Sequence, residues 1–370
     1  MTPDMAIGRK ILTRELRALV TPGPRMIDEL ACVASVMLAI ALAHLIGAKM
    51  IAWAAFSAFV LMKGDPRETM LRGVLRVVGT AVGAGLALAI VPMASRTVPG
   101  AMIAAGLIGA LGLYGMLTAR RAYAWLLFGL TFQMILLDKL EHPTLDTLAF
   151  AQTRLLEVVA GTVACVLVSI TVALLTRREA GLPIETPPRM HWHPGAARHA
   201  AQAGVTLALL PLLHRFVGVP ELAQAGVTIM AVMIVPVAGL GKSGLVPVSY
   251  RLLHRAVGCL CGAVLAIGIL GLAQGSAPWL VLGTCVGIVI GRHIESASPR
   301  ATYIGVQFVL AILVVLVPDS YEQAAAEPGI HRLISTLVGM ALLEPVLLAW
   351  HALAPRVKGG ETHAGSISSE

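Results

Sequence analysis

Arg72 and Arg76 stand four residues apart, and so do Arg251 and Arg255. In a helix that spacing puts both guanidinium groups of a pair on one face. The segments that hold them read RGVLRVVGTAVG, from residue 72 to 83, and RLLHRAVGCLCG, from 251 to 262. At a constant shift of 179 positions Arg72 falls on Arg251, Arg76 on Arg255, Gly79 on Gly258 and Gly83 on Gly262. A charge within a membrane helix is costly, so a duplicated pair of cations is a candidate site. Guanidinium offers a planar fork that matches a carboxylate, so the chemistry is anion binding. The plainer reading is that cations at a helix end snorkel to headgroups. That suits the outer Arg72 and Arg251, and Arg72 also has Glu68 within pairing distance. It suits Arg76 and Arg255 less well, because they lie one turn deeper.

Two further arginines stand where topology does not ask for them. Arg154 and Arg332 are expected one to two turns inside the sixth helix of each half, at the end away from the basic loops. Glu157 lies three residues after Arg154, a pairing distance on a helix. Arg332 has Ser335 in that place, so its anion must come from another helix or from a substrate. Glu157, Glu344 and Asp28, the last beside Glu29, are the membrane acids able to take up a proton. Structural pairing is the plain alternative for each. Trp53, Phe56 and Phe59 recur every three residues and could stack a planar ligand; aromatic packing or lipid contact is the plain alternative.

These residues need membrane helices to hold them. The chain has 370 residues, of which 57% are hydrophobic and only 13% charged, and its mean hydropathy is +0.82. A soluble chain has nowhere to bury that much apolar surface. Twelve apolar spans are expected, at 27–46, 49–63, 73–94, 98–118, 122–137, 148–176, 199–217, 222–240, 249–273, 277–291, 302–318 and 333–353. Long runs without alternation exclude a barrel and predict an all-α polytopic protein. Most of the 28 Lys and Arg residues fall in loops on one side, whereas the opposite side holds acidic loops at Asp138–Asp146 and Asp319–Glu327. The positive-inside rule then predicts a multi-pass membrane protein with both termini cytoplasmic. No cleavable signal peptide is visible in residues 1–24; Gly8–Val20 has the spacing of a helix lying on the membrane surface.

The net charge of +8 thus reflects topology and lipid contact, with no nucleic-acid signature. Cys32, Cys165, Cys259, Cys261 and Cys285 lie inside spans and are expected as small buried packing residues. Gly239-Leu-Gly-Lys-Ser-Gly244 imitates the end of a phosphate loop but has Pro236 where that motif needs glycine. His191-Trp-His193 has alternate histidines but no nearby carboxylate or thiol to complete a metal site. No hydrolase or metalloprotease motif occurs, so the chain reads as a non-enzyme without cofactor or metal.

The spans divide into two sets of six. The expected segments are a cytoplasmic N-terminal segment 1–24, a first half 25–176, a Pro-rich linker 177–197, a second half 198–355 and a polar tail 356–370. An even number of spans per half makes the two copies parallel, related by an axis along the membrane normal. Arg121-Ala122 matches Arg300-Ala301 at the same shift, and Arg154 with Gly161 matches Arg332 with Gly339 at a shift of 178. Gly79 and Gly83, like Gly258 and Gly262, form GxxxG patterns that let helices approach closely. The third helix of each half is therefore expected to be central, with the substrate path where the two third helices meet.

The segment Trp53–Ala89, WAAFSAFVLMKGDPRETMLRGVLRVVGTAVGAGLALA, resembles the fusaric acid resistance (FUSC-type) family, as does the shorter match at Arg251–Gly262 with a sixth helix opening on Arg154 or Arg332. The resemblance implies an aromatic acid exporter of the inner membrane, related to plant anion channels of the malate type. It also implies a periplasmic adaptor protein as partner. Many such exporters carry a large cytoplasmic domain, whereas this chain has only its linker and tail. Regulation or substrate capture by such a domain is then expected to be absent or supplied by another chain. An anion channel and a non-transporting scaffold or lipid-binding protein are the alternatives, and a homo-oligomer is compatible with all three.

Overall fold

The structure, a computed structural model, describes residues 21–177, 192–241, 243–321 and 324–353. The basic stretch Gly8–Val20, His191, Lys242 and the polar tail lie outside the described residues. Within them the fold is all-helical, with helices α1 (Pro24–Leu45), α2 (Ile51–Leu61), α3 (Pro66–Ala94), α4 (Val98–Thr118), α5 (Ala122–Glu141), α6 (Thr147–Thr176), α7 (Pro194–Val217), α8 (Leu222–Val232), α9 (Leu245–Ala273), α10 (Ala277–Ala297), α11 (Thr302–Leu316) and α12 (Glu327–Leu353). Local chemistry marks the starts. Asp65, Thr97 and Asp146 accept backbone N–H bonds at the first turns of α3, α4 and α6, and Pro24, Pro66 and Pro194 open α1, α3 and α7 where a missing N–H costs nothing.

Twelve full spans is a correction. Nine of these helices are long and apolar enough to cross a bilayer. The three others have 11, 11 and 15 residues: α2, α8 and α11. At about 1.5 Å per residue, α2 and α8 reach about half of a hydrocarbon core roughly 30 Å thick. The expected spans 49–63 and 222–240 overshoot because hydropathy counts apolar residues regardless of backbone. After α8 the chain runs through Pro236 and a single 3-10 turn at Val237–Gly239 before α9 begins.

Exposure separates inner from outer helices. Large exposed apolar side chains occur on α1, α3, α4, α6, α7, α9, α10 and α12, for example Val74, Val78 and Val82 on α3. None of the large exposed apolar residues belongs to α2, α5, α8 or α11. Eight helices thus face lipid and wrap four. The short helices are among the wrapped ones, which is where protein can shelter the backbone ends that lipid would not tolerate.

Within the first half α3 packs on α4, α5 and α6, and α6 on α1 and α2; within the second half α9 packs on α10, α11 and α12, and α12 on α7 and α8. Between the halves the seams are α4 on α7, α1 on α10, α5 on α8 and α2 on α11. The third helices α3 and α9 do not form a packed pair, which corrects the expected meeting of third helices. The GxxxG glycines serve contacts inside each half instead. A Cβ on Gly79 would lie 2.3 Å from the Ala124 carbonyl oxygen of α5, and one on Gly262 would lie 2.4 Å from that of Phe308 on α11. Such distances leave room for hydrogen only. The α4–α7 seam has its own close approach at Gly106 and Gly204.

Of the cysteines, Cys32, Cys165 and Cys259 are buried. Cys261 is exposed, which corrects its expected burial: two residues from Cys259, it falls on the lipid-facing side of α9.

Candidate functional site

The four inner helices and the helices behind them enclose one central cavity of about 210 Å³. Arg76 reaches it from α3, Arg154 from α6, Arg255 from α9 and Arg332 from α12. All four belong to lipid-facing helices and point inward, with exposures of 9%, 5%, 1% and 5%. Trp53, Phe56 and Val60 of α2 line the cavity, with Leu126, Leu130 and Met134 of α5 and Val306, Gln307 and Leu310 of α11. Glu157 is the one carboxylate among its lining residues.

The two halves dress their arginines alike at the third helices. Arg76 donates from Nη1 to the Tyr123 hydroxyl at 2.7 Å and from Nε to Ser57 Oγ at 3.2 Å. Arg255 donates from Nη1 to the Tyr303 hydroxyl at 3.3 Å. The rings of those tyrosines take the outer arginines: Arg72 lies 5.9 Å from the Tyr123 centroid and Arg251 lies 4.1 Å from that of Tyr303. Arg72 and Arg251 do not line the cavity. Arg72 pairs with Glu68 at 2.9 Å, and Arg251 donates to the Ala231 carbonyl.

The sixth helices differ. Arg154 donates to Glu157 Oε2 at 3.1 Å and lies 4.4 Å from the Trp53 ring. Arg332 lies 5.0 Å from the Phe56 ring, and its Nε and Nη1 are buried without a hydrogen-bond partner. Ser335, at the position of Glu157, turns away and donates to the Pro220 carbonyl. Arg255 likewise has buried Nε and Nη2 groups without partners. Buried guanidinium donors left unmade are costly, so these two side chains are poised for an acceptor the protein does not supply.

The remaining candidates lie away from the cavity. Glu344 accepts from Ser249 at 2.8 Å between α12 and the start of α9. Asp28 lies in the first turns of α1. Phe59 is buried in the apolar core rather than at the cavity wall. His193 caps the start of α7 through Ala196 N–H, and no cluster able to hold a metal occurs among the described residues.

A wider opening of about 330 Å³ meets the cavity at Trp53, Phe56 and Arg332 and leads to the end of the bundle that carries Asp319 and Glu221. A second opening of about 400 Å³ at that end is lined by Asp138, Glu141 and Asp146 and shares Met50 and Glu221 with the first. Here the two half-length helices start, and each start is held by a carboxylate of the opposite half. Glu141, ending α5, accepts from Glu221 and Leu222 N–H at 2.7 and 2.8 Å. Asp319, following α11, accepts from Ile51 N–H at 2.9 Å. Glu157, of the same half as α2, adds a fourth bond, from Met50 N–H at 3.1 Å. Carboxylates suit this position because helix starts present free N–H groups and partial positive charge. Burial pushes the Asp319 carboxyl above its ordinary range, against the pull of the Ile51 N–H. Burial and then the charge of Glu141 do the same to Glu221.

Sequence reasoning missed Tyr123, Tyr303, Glu141 and Asp319 as parts of this arrangement. The signal was present: Tyr123 and Tyr303 follow the matched Arg121 and Arg300, and Glu141 and Asp319 differ by the 178 positions that relate Arg154 to Arg332. No curated protein and no solved structure matches the chain. Residues 38–168, from α1 into α6 and including Arg76, Arg154 and Glu157, match the family model described as fusaric acid resistance protein-like, in support of the resemblance to the FUSC-type family.

Proposed function

We propose that the protein is a secondary transporter that exports aromatic carboxylic or other organic anions across the bacterial inner membrane, with both termini cytoplasmic. The observation that carries this reading is the convergence of four buried guanidinium groups, two from each half, on one cavity whose other lining residues are mostly apolar and include a single carboxylate, Glu157. The substrate carboxylate sits among the arginines, and its apolar body lies against Trp53 and Phe56. Two parallel six-helix repeats are part of the reading, because the same helix pairs pack within each half and across the seams. By family resemblance a periplasmic adaptor completes the export route.

Glu157 provides the link to protons. Ionised, it holds Arg154 and the start of α2 through Met50 N–H. Protonated, it releases both, so its proton occupancy decides whether Arg154 is committed to the protein or open to the substrate. The test is flux of 4-hydroxybenzoate from proteoliposomes with and without an imposed pH gradient. Efflux that the gradient accelerates, and that loses this dependence in Glu157→Gln, is the expected result. Flux indifferent to the gradient would make the protein an anion channel; no flux of any tested anion would end the transport reading.

A further inference from the structure

We infer that the substrate of this cavity is a small aromatic dianion, two acidic groups on one ring system, rather than a monocarboxylate. The inference rests on the anion-transport reading and narrows it. Four guanidinium groups and one carboxylate line the space. Glu157 is committed to Arg154, at 3.1 Å. Arg76 spends its Nε and Nη1 donors on Ser57 and Tyr123. Arg255 and Arg332 remain, each with two buried donors that meet no acceptor.

The difference between the halves says what is missing. Arg154 has its carboxylate three residues on, whereas Arg332 has Ser335 there, bonded to the Pro220 carbonyl. A ligand carboxylate on Arg332 takes the part that Glu157 plays in the first half, and a second acidic group takes the free donors of Arg255. A single acidic group would leave one of these two side chains with buried donors that meet no acceptor, whereas Arg76, the third cation without a carboxylate, already has hydroxyl partners. Volume and lining set the rest of the ligand. At about 210 Å³ the cavity is smaller than the roughly 300–1,000 Å³ of pockets for drug-sized ligands. Phe56 beneath Arg332 and Trp53 beneath Arg154 favour a flat body.

The test is binding to the full-length protein purified in detergent, by calorimetric titration with benzoate, with the 1,2-, 1,3- and 1,4-benzenedicarboxylates, and with sulfate. At least one dicarboxylate is expected to bind at least tenfold more tightly than benzoate, with sulfate weaker than both. Arg255→Gln and Arg332→Gln should each lower that dicarboxylate's affinity about ten- to 150-fold, the range for a lost charge-assisted contact. Benzoate affinity should change less in at least one of them. Ser335→Glu places an internal carboxylate within pairing distance of Arg332 and should abolish the preference for the dianion while keeping benzoate binding. Equal affinity for benzoate and the dicarboxylates in the wild type overturns the dianion and leaves anion transport standing. Sulfate as tight as the best dicarboxylate overturns the aromatic dianion likewise. No binding of any of these anions, in protein that folds normally, overturns both.

Discussion

At the scale of single residues, the contrast between inner and outer arginines is one of solvation. Arg76 is buried at the cavity with hydroxyl partners, whereas Arg72 is half exposed in an i,i+4 pair with Glu68. Exposed pairs of that kind contribute about 0–1 kcal/mol. Arg76 keeps its positive charge at the cavity wall although two of its donors are bonded to protein, so Arg76→Gln is expected to weaken apparent substrate affinity about tenfold, equivalent to about 1.4 kcal/mol. Arg72→Gln should change it less than about fivefold. Initial rates of 4-hydroxybenzoate efflux against concentration, at matched levels of inserted protein, decide this; equal loss in both variants would remove the distinction. Tyr123 connects the two arginines through its hydroxyl and its ring. Tyr123→Phe keeps the ring beneath Arg72 and should impair only what Arg76 does.

At the scale of elements, two contacts set the geometry. The first is the close approach of α3 to α5. Gly79→Leu puts a side chain where a Cβ alone would lie 2.3 Å from the Ala124 carbonyl oxygen, so the helices must separate. Overpacking of this kind costs about 1–3 kcal/mol or more, and melting in detergent should fall clearly. Gly85→Ala on the same helix meets nothing within 4 Å and should melt like the wild type; similar losses in both would deny the close contact its role. The second is the cross-half hold on the half-length helices. Burial raises the Asp319 carboxyl above its unfolded value, so the folded state binds its proton more tightly. Its contribution to stability is full below the unfolded pKa, near 3.9, and is lost as pH rises through the folded one. Asp319→Asn keeps an acceptor for Ile51 N–H and removes that slope. Melting temperature measured across pH 4 to 8 should decline less with rising pH in the variant; identical profiles would show that Asp319 does not titrate in this range.

At the scale of the whole molecule, the halves are joined through α4–α7, α1–α10, α5–α8 and α2–α11, around a cavity that takes cations from both. If the positive-inside orientation holds, cysteines placed at 140–146 and 320–321 label from the periplasm, and those at 64–70 from the cytoplasm. Labelling of an acidic loop from the cytoplasmic side would reverse the export direction assigned here. Gly106→Cys with Gly204→Cys, on facing helices of the α4–α7 seam, should cross-link under oxidant if that seam is present in the membrane.

Much of this molecule follows from its sequence by itself. The class of fold follows because apolar runs without alternation have one stable form in lipid. The doubled arginines, their depth and the likeness of the halves are visible as spacing, since the helical period turns a four-residue gap into a shared face. The pairing of Arg154 with Glu157 is also local, three residues apart on one helix. Tertiary structure alone decided the rest. Hydropathy cannot distinguish a full span from α2 or α8, because a short helix sheltered by protein is as apolar as one in lipid. It cannot say that the glycine-rich third helices face their own half, because a GxxxG surface carries no record of its partner. It cannot bring Glu141 to the start of α8 or Asp319 to the start of α2, since each contact joins carboxylate and N–H groups on opposite sides of the seam. Nor can it show that Arg255 and Arg332 lack an acceptor, which depends on every neighbour in a cavity built from eight helices.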